Sequence, residues 1–208
     1  MKQNQFGRSM IEMLGVLAII AILSVGGIAG YSKAMEQFKI NKTVEEYTYL
    51  MNGLLEHADS LKKSSSALSS LTNIASALNL IPSNWKQTRH STIGPTFSDT
   101  FDNTIDIYKH YGNKYLVLEI YLTGLNKKSA YSTAVCSSLI QNFVKPLHSV
   151  WHHFWFWMGD DEKEHLYYYG DKYAEEGQKL IKDLEVVETQ QICQKCQPPH
   201  SCSFVLLF

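Results

Sequence analysis

Residues 5–35 read QFGRSMIEMLGVLAIIAILSVGGIAGYSKAM, and this stretch decides the architecture of the whole chain. Its apolar run, from Met10 to Tyr31, spans 22 residues. As an α-helix this run measures about 30 Å, the thickness of the hydrocarbon layer of a bilayer. Arg8 precedes the run, and a carboxylate, Glu12, lies within its first turn. A charged side chain at membrane depth costs roughly 2.5–3.5 kcal/mol, so such a residue is typically paired or functional.

The bulk composition limits what the remaining chain can do. After the apolar run about 175 of the residues remain, enough for one domain with its own core. The 19 basic and 20 acidic residues give a net charge of -1, which indicates no general attraction to nucleic acid. The sequence contains no P-loop, GxGxxG, GxSxG or HExxH motif. We therefore expect neither an enzyme nor a cofactor.

Two ordinary interpretations of the N-terminal segment stay open. A secretory signal peptide would be cut after the apolar run, where Gly27 and Ala29 supply the small residues that such a cut requires. A plain signal-anchor helix would instead let Glu12 reach the membrane interface. Neither interpretation accounts for Gly7 immediately before the charged Arg8.

The segment resembles the N-terminus of type IV pilins and of the related pseudopilins of type II secretion. In that family a short basic leader ends in Gly, prepilin peptidase cuts after it, and the new N-terminal amine is methylated. The resemblance implies that residues 1–7, MKQNQFG, are the leader, that cleavage separates Gly7 from Arg8, and that Arg8 is methylated. Glu12 then stands fifth in the mature chain, where the family carries its characteristic Glu.

The same resemblance implies a structural subunit of a pilus-like filament. Residues 8–31 would form the transmembrane and filament-core helix, and residues 32–208 an extracytoplasmic head. In the filament, Glu12 would pair with the N-terminal amine of a neighbouring subunit. Gly26 and Gly30 form a GxxxG pattern that lets membrane helices approach closely, although simple tolerance of glycine explains it equally well.

The implied partners are further copies of the chain, prepilin peptidase, a pilus or secretion assembly platform, and the inner membrane. The implied location is the bacterial inner membrane for the precursor, followed by an extracellular or periplasmic filament. A pseudopilin of a type II secretion system is an alternative function. A membrane-tethered or secreted, aromatic-rich binding protein is a second alternative.

Periodicity beyond the membrane segment predicts an α+β head of pilin-like plan, with a long helix packed on a small antiparallel sheet. One helix should run from Met10 to Lys62, because apolar residues recur at alternate spacings of four and three: Ile40, Val44, Tyr47, Met51, Leu54, Ala58 and Leu61. Two shorter helices are predicted at residues 68–80 and 129–147, the second ended by Pro146. Alternating β-branched and aromatic residues predict strands at 103–111, 114–122 and 203–208.

Four cysteines, Cys136, Cys193, Cys196 and Cys202, lie on the side that the resemblance places outside the cytoplasm, where disulfides persist. An even count indicates two bridges with three possible connectivities. Cys136, within a predicted helix, is most economically tied to one of the other three cysteines, which would fasten the last strand to the head. Zinc is the alternative, because the run CQKCQPPHSC also offers His200 beside its three cysteines.

Residues 148–173, HSVWHHFWFWMGDDEKEHLYYYGDKY, hold three Trp, two Phe and four Tyr. His148 and His152 have helical spacing, and Asp160 and Asp161 follow them, but a histidine pair of this kind is more often polar surface or satisfied core, so we predict no metal site. The aromatic residues are interpreted either as a hydrophobic plug under a long loop or as a surface patch for sugars or partner subunits.

Overall fold

The protein is described here by a computed structural model, which covers residues 10–63, 71–88, 94–110, 115–122, 133–158, 165–196 and 202–208. The chain divides into two compact units, Met1–Lys39 and Ile40–Phe208. The predicted leader, residues 1–7, lies outside the described residues, and so does the cleavage position between Gly7 and Arg8.

The described part of the first unit is α-helical throughout and belongs to helix α1, Met10–Glu56. The large apolar side chains described between Met10 and Tyr31 are exposed, from 53% for Ile20 to 81% for Met10. Among the described residues α1 is the one helix that is long and apolar enough to cross a membrane, judged by its length and composition. Leu, Ile, Val and Ala predominate in this apolar run and explain its apolar surface, and its Leu and Ala residues favour the helix.

The second unit begins with the rest of α1, whose apolar stripe enters the core. Tyr47, Leu50, Met51 and Leu54 are fully buried, which confirms the predicted amphipathic helix. The helix ends at Glu56, and after a turn at His57 a short helix, α2 (Ala58–Lys63), carries the buried Leu61. The predicted single helix is therefore interrupted once before its expected end.

The second unit also contains one antiparallel sheet of seven strands in the order β1-β2-β3-β4-β7-β5-β6. The strands are β1 (Lys86–Thr88), β2 (Thr96–Ser98), β3 (Thr104–Lys109), β4 (Leu116–Tyr121), β5 (His153–Met158), β6 (Leu166–Tyr169) and β7 (Cys202–Leu207). The α+β class is confirmed, and the three predicted strands correspond to β3, β4 and β7. The sheet is larger than predicted because four further strands join these three.

Four further described helical segments accompany the sheet: α3 (Thr72–Ala77), α4 (Thr133–Leu139), a 3₁₀ turn at Ile181–Asp183, and α5 (Val186–Lys195). Helix α3 falls within the predicted 68–80 segment. Helix α4 continues as a π-helical turn, Ile140–Val144, and a 3₁₀ turn, Lys145–Leu147. Pro146 lies inside this last turn, so the helical path ends just after it, close to the prediction.

The main core joins the stripe of α1 to one face of the sheet, which we call the inner face. Inner-face residues that are fully buried include Ile107, Leu118, Phe154, Phe204 and Leu206. Aromatic contacts connect the helix to this core: the ring of Tyr47 lies 5.1 Å from that of Trp85 and 5.6 Å from that of Phe143.

A buried polar network fixes α1 to the segment that leads into the sheet. Glu46 accepts hydrogen bonds from the indole N–H of Trp85 and the side-chain amide of Asn84, each at 2.9 Å. The hydroxyl of Tyr47 donates at 3.0 Å to the Asp99 carboxylate, which also accepts from two N–H groups of Asn103 and from the backbone N–H of Phe101. Burial raises the pKa of Asp99, while these hydrogen bonds act in the opposite direction.

Candidate assembly helix and outer face of the head

Glu12 lies in the first described turn of α1 and is exposed, and the residues that follow it are apolar. A carboxylate on an apolar helix is expensive in lipid and is stabilised by an opposite charge. The proposed N-terminal amine lies outside the described residues, so the pairing that the resemblance implies stays a prediction.

Gly26 and Gly30 both lie within α1, one helical turn apart. A Cβ added at either position would meet nothing within 4 Å. Among the described residues, then, no close packing requires glycine at these two positions. Close approach of a second helix, or simple tolerance, are the explanations that remain.

The four cysteines form two disulfides. Cys136 of α4 is bonded to Cys193 of α5, and Cys196 at the end of α5 is bonded to Cys202 at the start of β7. The Cα–Cα distances are 5.8 and 5.7 Å, within the usual range for a disulfide. These bonds fasten α5 to α4 on one side and to the last strand on the other. Disulfides of this kind are typical of proteins outside the cytoplasm.

This pairing leaves none of the four cysteines free, so they offer no thiolates for the alternative zinc site, whose fourth residue, His200, lies outside the described residues. Among the described residues there is no group of three or more His, Cys, Asp or Glu side chains that could hold a metal ion.

The helical spacing of His148 and His152 is not realised in the structure. His148 follows the 3₁₀ turn, and His152 directly precedes β5, because the chain changes from helical to extended backbone between them. The Nδ1 atom of His148 lies 3.0 Å from a carboxylate oxygen of Asp171. The ring of His152 packs instead on Tyr115 and Tyr173, with ring centroids 4.3 and 4.6 Å apart. Asp160 and Asp161 lie outside the described residues.

The aromatic run at 148–173 forms β5 and β6, and their side chains divide between the two faces of the sheet. Phe154, Phe156 and Tyr168 belong to the main core and are at most 1% exposed. The interpretation as a hydrophobic plug thus describes the aromatic residues that face the core. These residues lie on strands, however, and not under a long loop. The alternate residues point to the opposite side of the sheet.

We call this opposite side the outer aromatic face. The strand register places its residues in three rows. The first row, across β6, β5, β7, β4 and β3, is Tyr169, His153, Leu207, Val117 and Tyr108, and the second is Tyr167, Trp155, Val205, Glu119 and Asp106. The third row, across β5, β7, β4 and β3, is Trp157, Ser203, Tyr121 and Thr104. The three aliphatic residues are at most 2% exposed and form a second apolar cluster. The partly buried residues packed against this cluster are Tyr108, Tyr115 and Trp155. Aromatic rings therefore surround a small apolar centre on this face.

A carboxylate stands within this face. Glu119 accepts hydrogen bonds from the hydroxyl of Tyr108 at 2.9 Å and from that of Ser203 at 3.1 Å, and Tyr121 supplies a further hydroxyl. Burial raises the pKa of Glu119, and these hydrogen bonds oppose the rise. Burial raises the pKa of Tyr108 and of Tyr121, and the neighbouring negative charge of Glu119 raises it further. The two tyrosines stay protonated and keep donating to the carboxylate.

Histidines continue the face at one end. The ring of His153 stacks on that of Trp155 with centroids 5.3 Å apart and an interplanar angle of 23°. Its Nδ1 atom lies 2.7 Å from Nδ1 of His152. One of these two nitrogens therefore carries a proton and donates a hydrogen bond, and the other accepts that bond. Burial, helped by the neighbouring His152 and His110, lowers the pKa of His153 to about 4. The histidine pair is therefore neutral at pH 7.

The sequence alone indicated a patch of aromatic residues but not this arrangement. Ser203 lies 84 positions from Glu119, and Tyr108, Tyr121 and Ser203 meet this carboxylate only through the strand register. The alternation of Tyr and Glu with aliphatic residues in β3 and β4 was the one available signal.

Comparisons with protein-family models, with curated proteins and with solved structures found no match. The class that the structure defines is an α+β head that follows a single long apolar helix and is closed by two disulfides. The family resemblance of the N-terminal segment stays a prediction.

Proposed function

We propose that this chain is the structural subunit of a type IV pilus-like filament, made as a precursor, cleaved after Gly7 and methylated at Arg8. The observation that carries the proposal is α1, a continuous 47-residue helix. Its first part exposes an apolar surface with Glu12 in its first described turn, and its second part belongs to the core of an α+β unit. A helix exposed in this way needs either lipid or other copies of itself to cover it.

In the proposed filament the apolar surface of α1 leaves the membrane and packs against the same surface of neighbouring subunits. Glu12 compensates the positive N-terminal amine of a neighbour, so both charges are satisfied only when the subunits are in register. The precursor resides in the inner membrane, and the filament lies outside the cytoplasm. Its partners are prepilin peptidase and an assembly platform.

A pseudopilin of a type II secretion system shares every feature used in this proposal and is the nearest alternative. A membrane-tethered or secreted binding protein is the second, and the outer aromatic face is the observation that favours it. In such a binding protein the apolar helix serves only as a membrane anchor or as a signal peptide that is removed.

The N-terminus of the mature protein distinguishes these functions. Mass spectrometry of protein purified from membranes should find a chain that begins at Arg8 and carries a methylated amine. A mature chain that begins near Gly30 would indicate a removed signal, and a chain that retains Met1 would indicate a simple anchor. Either result would refute the prepilin assignment. The variant Gly7→Val should accumulate as full-length precursor, because prepilin peptidase requires the small residue.

A second experiment tests Glu12 itself. Glu12→Val should leave the amount of membrane-bound subunit unchanged, since it removes a costly charge from lipid, but should abolish most filaments seen by electron microscopy. Glu36→Val is the matched control, because Glu36 is an exposed carboxylate on the same helix beyond the apolar run. Equal filament numbers in the two variants would show that Glu12 has no role in assembly.

A further inference from the structure

The outer aromatic face carries contiguous rings at the edge of the sheet. Tyr167 and Tyr169 on β6 lie beside Trp155 and His153 on β5. The ring centroids of Trp155 and Tyr167 are 5.8 Å apart, and those of His153 and Tyr169 are also 5.8 Å apart. Tyr167 is 42% exposed, and the other three rings are partly exposed. These four neighbouring rings form a platform.

The charge of this face limits what it can bind. The outward positions of β3 to β7 contain no Lys or Arg, and they contain the carboxylates Asp106 and Glu119. Phosphate-rich or sulfated polymers are therefore disfavoured, because nothing on these strands neutralises their charge. The ligand that complements this face is therefore not a polyanion.

The hydroxyl groups add a second requirement. Tyr108 is half-buried and its hydroxyl donates its proton to Glu119, so toward a ligand its oxygen acts as an acceptor. A complementary ligand must therefore supply hydrogen-bond donors as well as an apolar surface that stacks on rings. Sugars combine the two, because a sugar ring has an apolar C–H face and a rim of hydroxyl donors.

The shape of the face separates a sugar from a cation. A cation is held best over or between rings that converge on it. Here the four rings lie side by side on two neighbouring strands, which are about 4.8 Å apart. We infer that the outer aromatic face binds a neutral oligosaccharide chain, with Trp155 and Tyr167 as its stacking platform. This inference does not depend on the proposed filament function.

The experiment uses the full-length protein in detergent micelles with three neutral probes, maltohexaose, cellohexaose and chitohexaose. Binding is followed by tryptophan fluorescence and by calorimetry. We expect at least one probe to bind, and we expect Tyr167→Ala to weaken that binding at least tenfold, since loss of one stacking ring has effects of this size. Tyr167 lies on an edge strand and is exposed, so this variant keeps its fold.

Three further variants make the result specific. Tyr49→Ala removes a tyrosine that is 55% exposed but lies on α1, and it should bind the probe as the wild type does. Trp155→Phe keeps a ring and should retain part of the affinity. Glu12→Val should bind normally, so failure of filament assembly and failure of sugar binding can be told apart.

Three outcomes would overturn the inference. Binding of none of the three probes would do so. Binding of dextran sulfate or polylysine in place of the neutral probes would reassign the face to a charged ligand. Self-association that light scattering detects in the wild type and not in Tyr167→Ala, without sugar binding, would assign the face to a second copy of the chain.

Discussion

Replacing both cysteines of one disulfide by alanine should destabilise the head by an amount that depends on which bridge is lost. The Cys136–Cys193 bridge spans 57 positions of sequence, and the Cys196–Cys202 bridge spans 6. In the chain-entropy treatment the first contributes about 4 kcal/mol to the free energy of unfolding and the second about 2 kcal/mol. All four cysteines are at most 1% exposed, so the loss of buried sulfur is equal in the two variants.

The expected difference between the two double variants is thus about 2 kcal/mol. It is measured by guanidinium unfolding of the full-length protein in micelles, followed by tryptophan fluorescence. All four tryptophans, Trp85, Trp151, Trp155 and Trp157, lie in the unit Ile40–Phe208, so the signal reports on the head alone. The wild type with reductant should be less stable than either variant without it. Equal losses, or a larger loss for the short bridge, would refute the entropic reasoning.

Gly170→Ala should destabilise the head by about 3 kcal/mol or more in the same assay, because the added Cβ would lie 1.9 Å from the backbone oxygen of Trp151. Glu46→Ala should cost about 1–3 kcal/mol, because it leaves the buried indole N–H of Trp85 without its acceptor. Lowering the pH from 6.5 to 4 should lower the free energy of unfolding of the wild type by about 1–2 kcal/mol. The cause is His153, whose pKa of about 4 in the folded state lies below its ordinary value.

Each of these expectations has a matched control. In Gly177→Ala the added Cβ would meet no described atom within 4 Å. This variant should lose only about 1 kcal/mol of the free energy of unfolding, because φ is positive at this position. Glu45→Ala removes an exposed carboxylate next to Glu46 and should be nearly neutral. For His153, the unfolded chain binds a proton below pH 6.5 that the folded chain rejects, so stability falls with falling pH. His153→Phe should remove this part of the pH dependence, and an unchanged pH profile would contradict the assignment.

The features of the fold that were predicted have strong local signals. The stripe of α1 repeats with helical period over several turns, and β3, β4 and β7 are rich in β-branched and aromatic residues. Strands β1 and β2 have only three residues each and depend on pairing, which leaves little local pattern to read. Strand β5 was missed for a different reason. It carries large aromatic or histidine side chains on both faces from His153 to Trp157, so the usual alternation of apolar and polar residues is absent.

The candidate sites show a similar division. Gly7, Arg8 and Glu12 could be named from the sequence because the resemblance rests on a continuous segment. The outer aromatic face could not be predicted, because it depends on register between distant strands. Glu119 and Ser203, for example, are separated by 84 positions and are hydrogen-bonded. No local pattern specifies such a contact, since it forms only after the last strand has joined the sheet.

The position of this last strand links the disulfides to the outer aromatic face. Strand β7 ends the described chain and yet lies between β4 and β5, where it supplies Ser203, Val205 and Leu207 to that face. Joining it to β4 closes a long loop, and the entropy of that closure opposes pairing. The Cys196–Cys202 bridge holds the start of β7 to α5, and the Cys136–Cys193 bridge holds α5 to α4. Reduction should therefore loosen the face together with the fold, and sugar binding should weaken at reductant concentrations that leave the apolar helix intact.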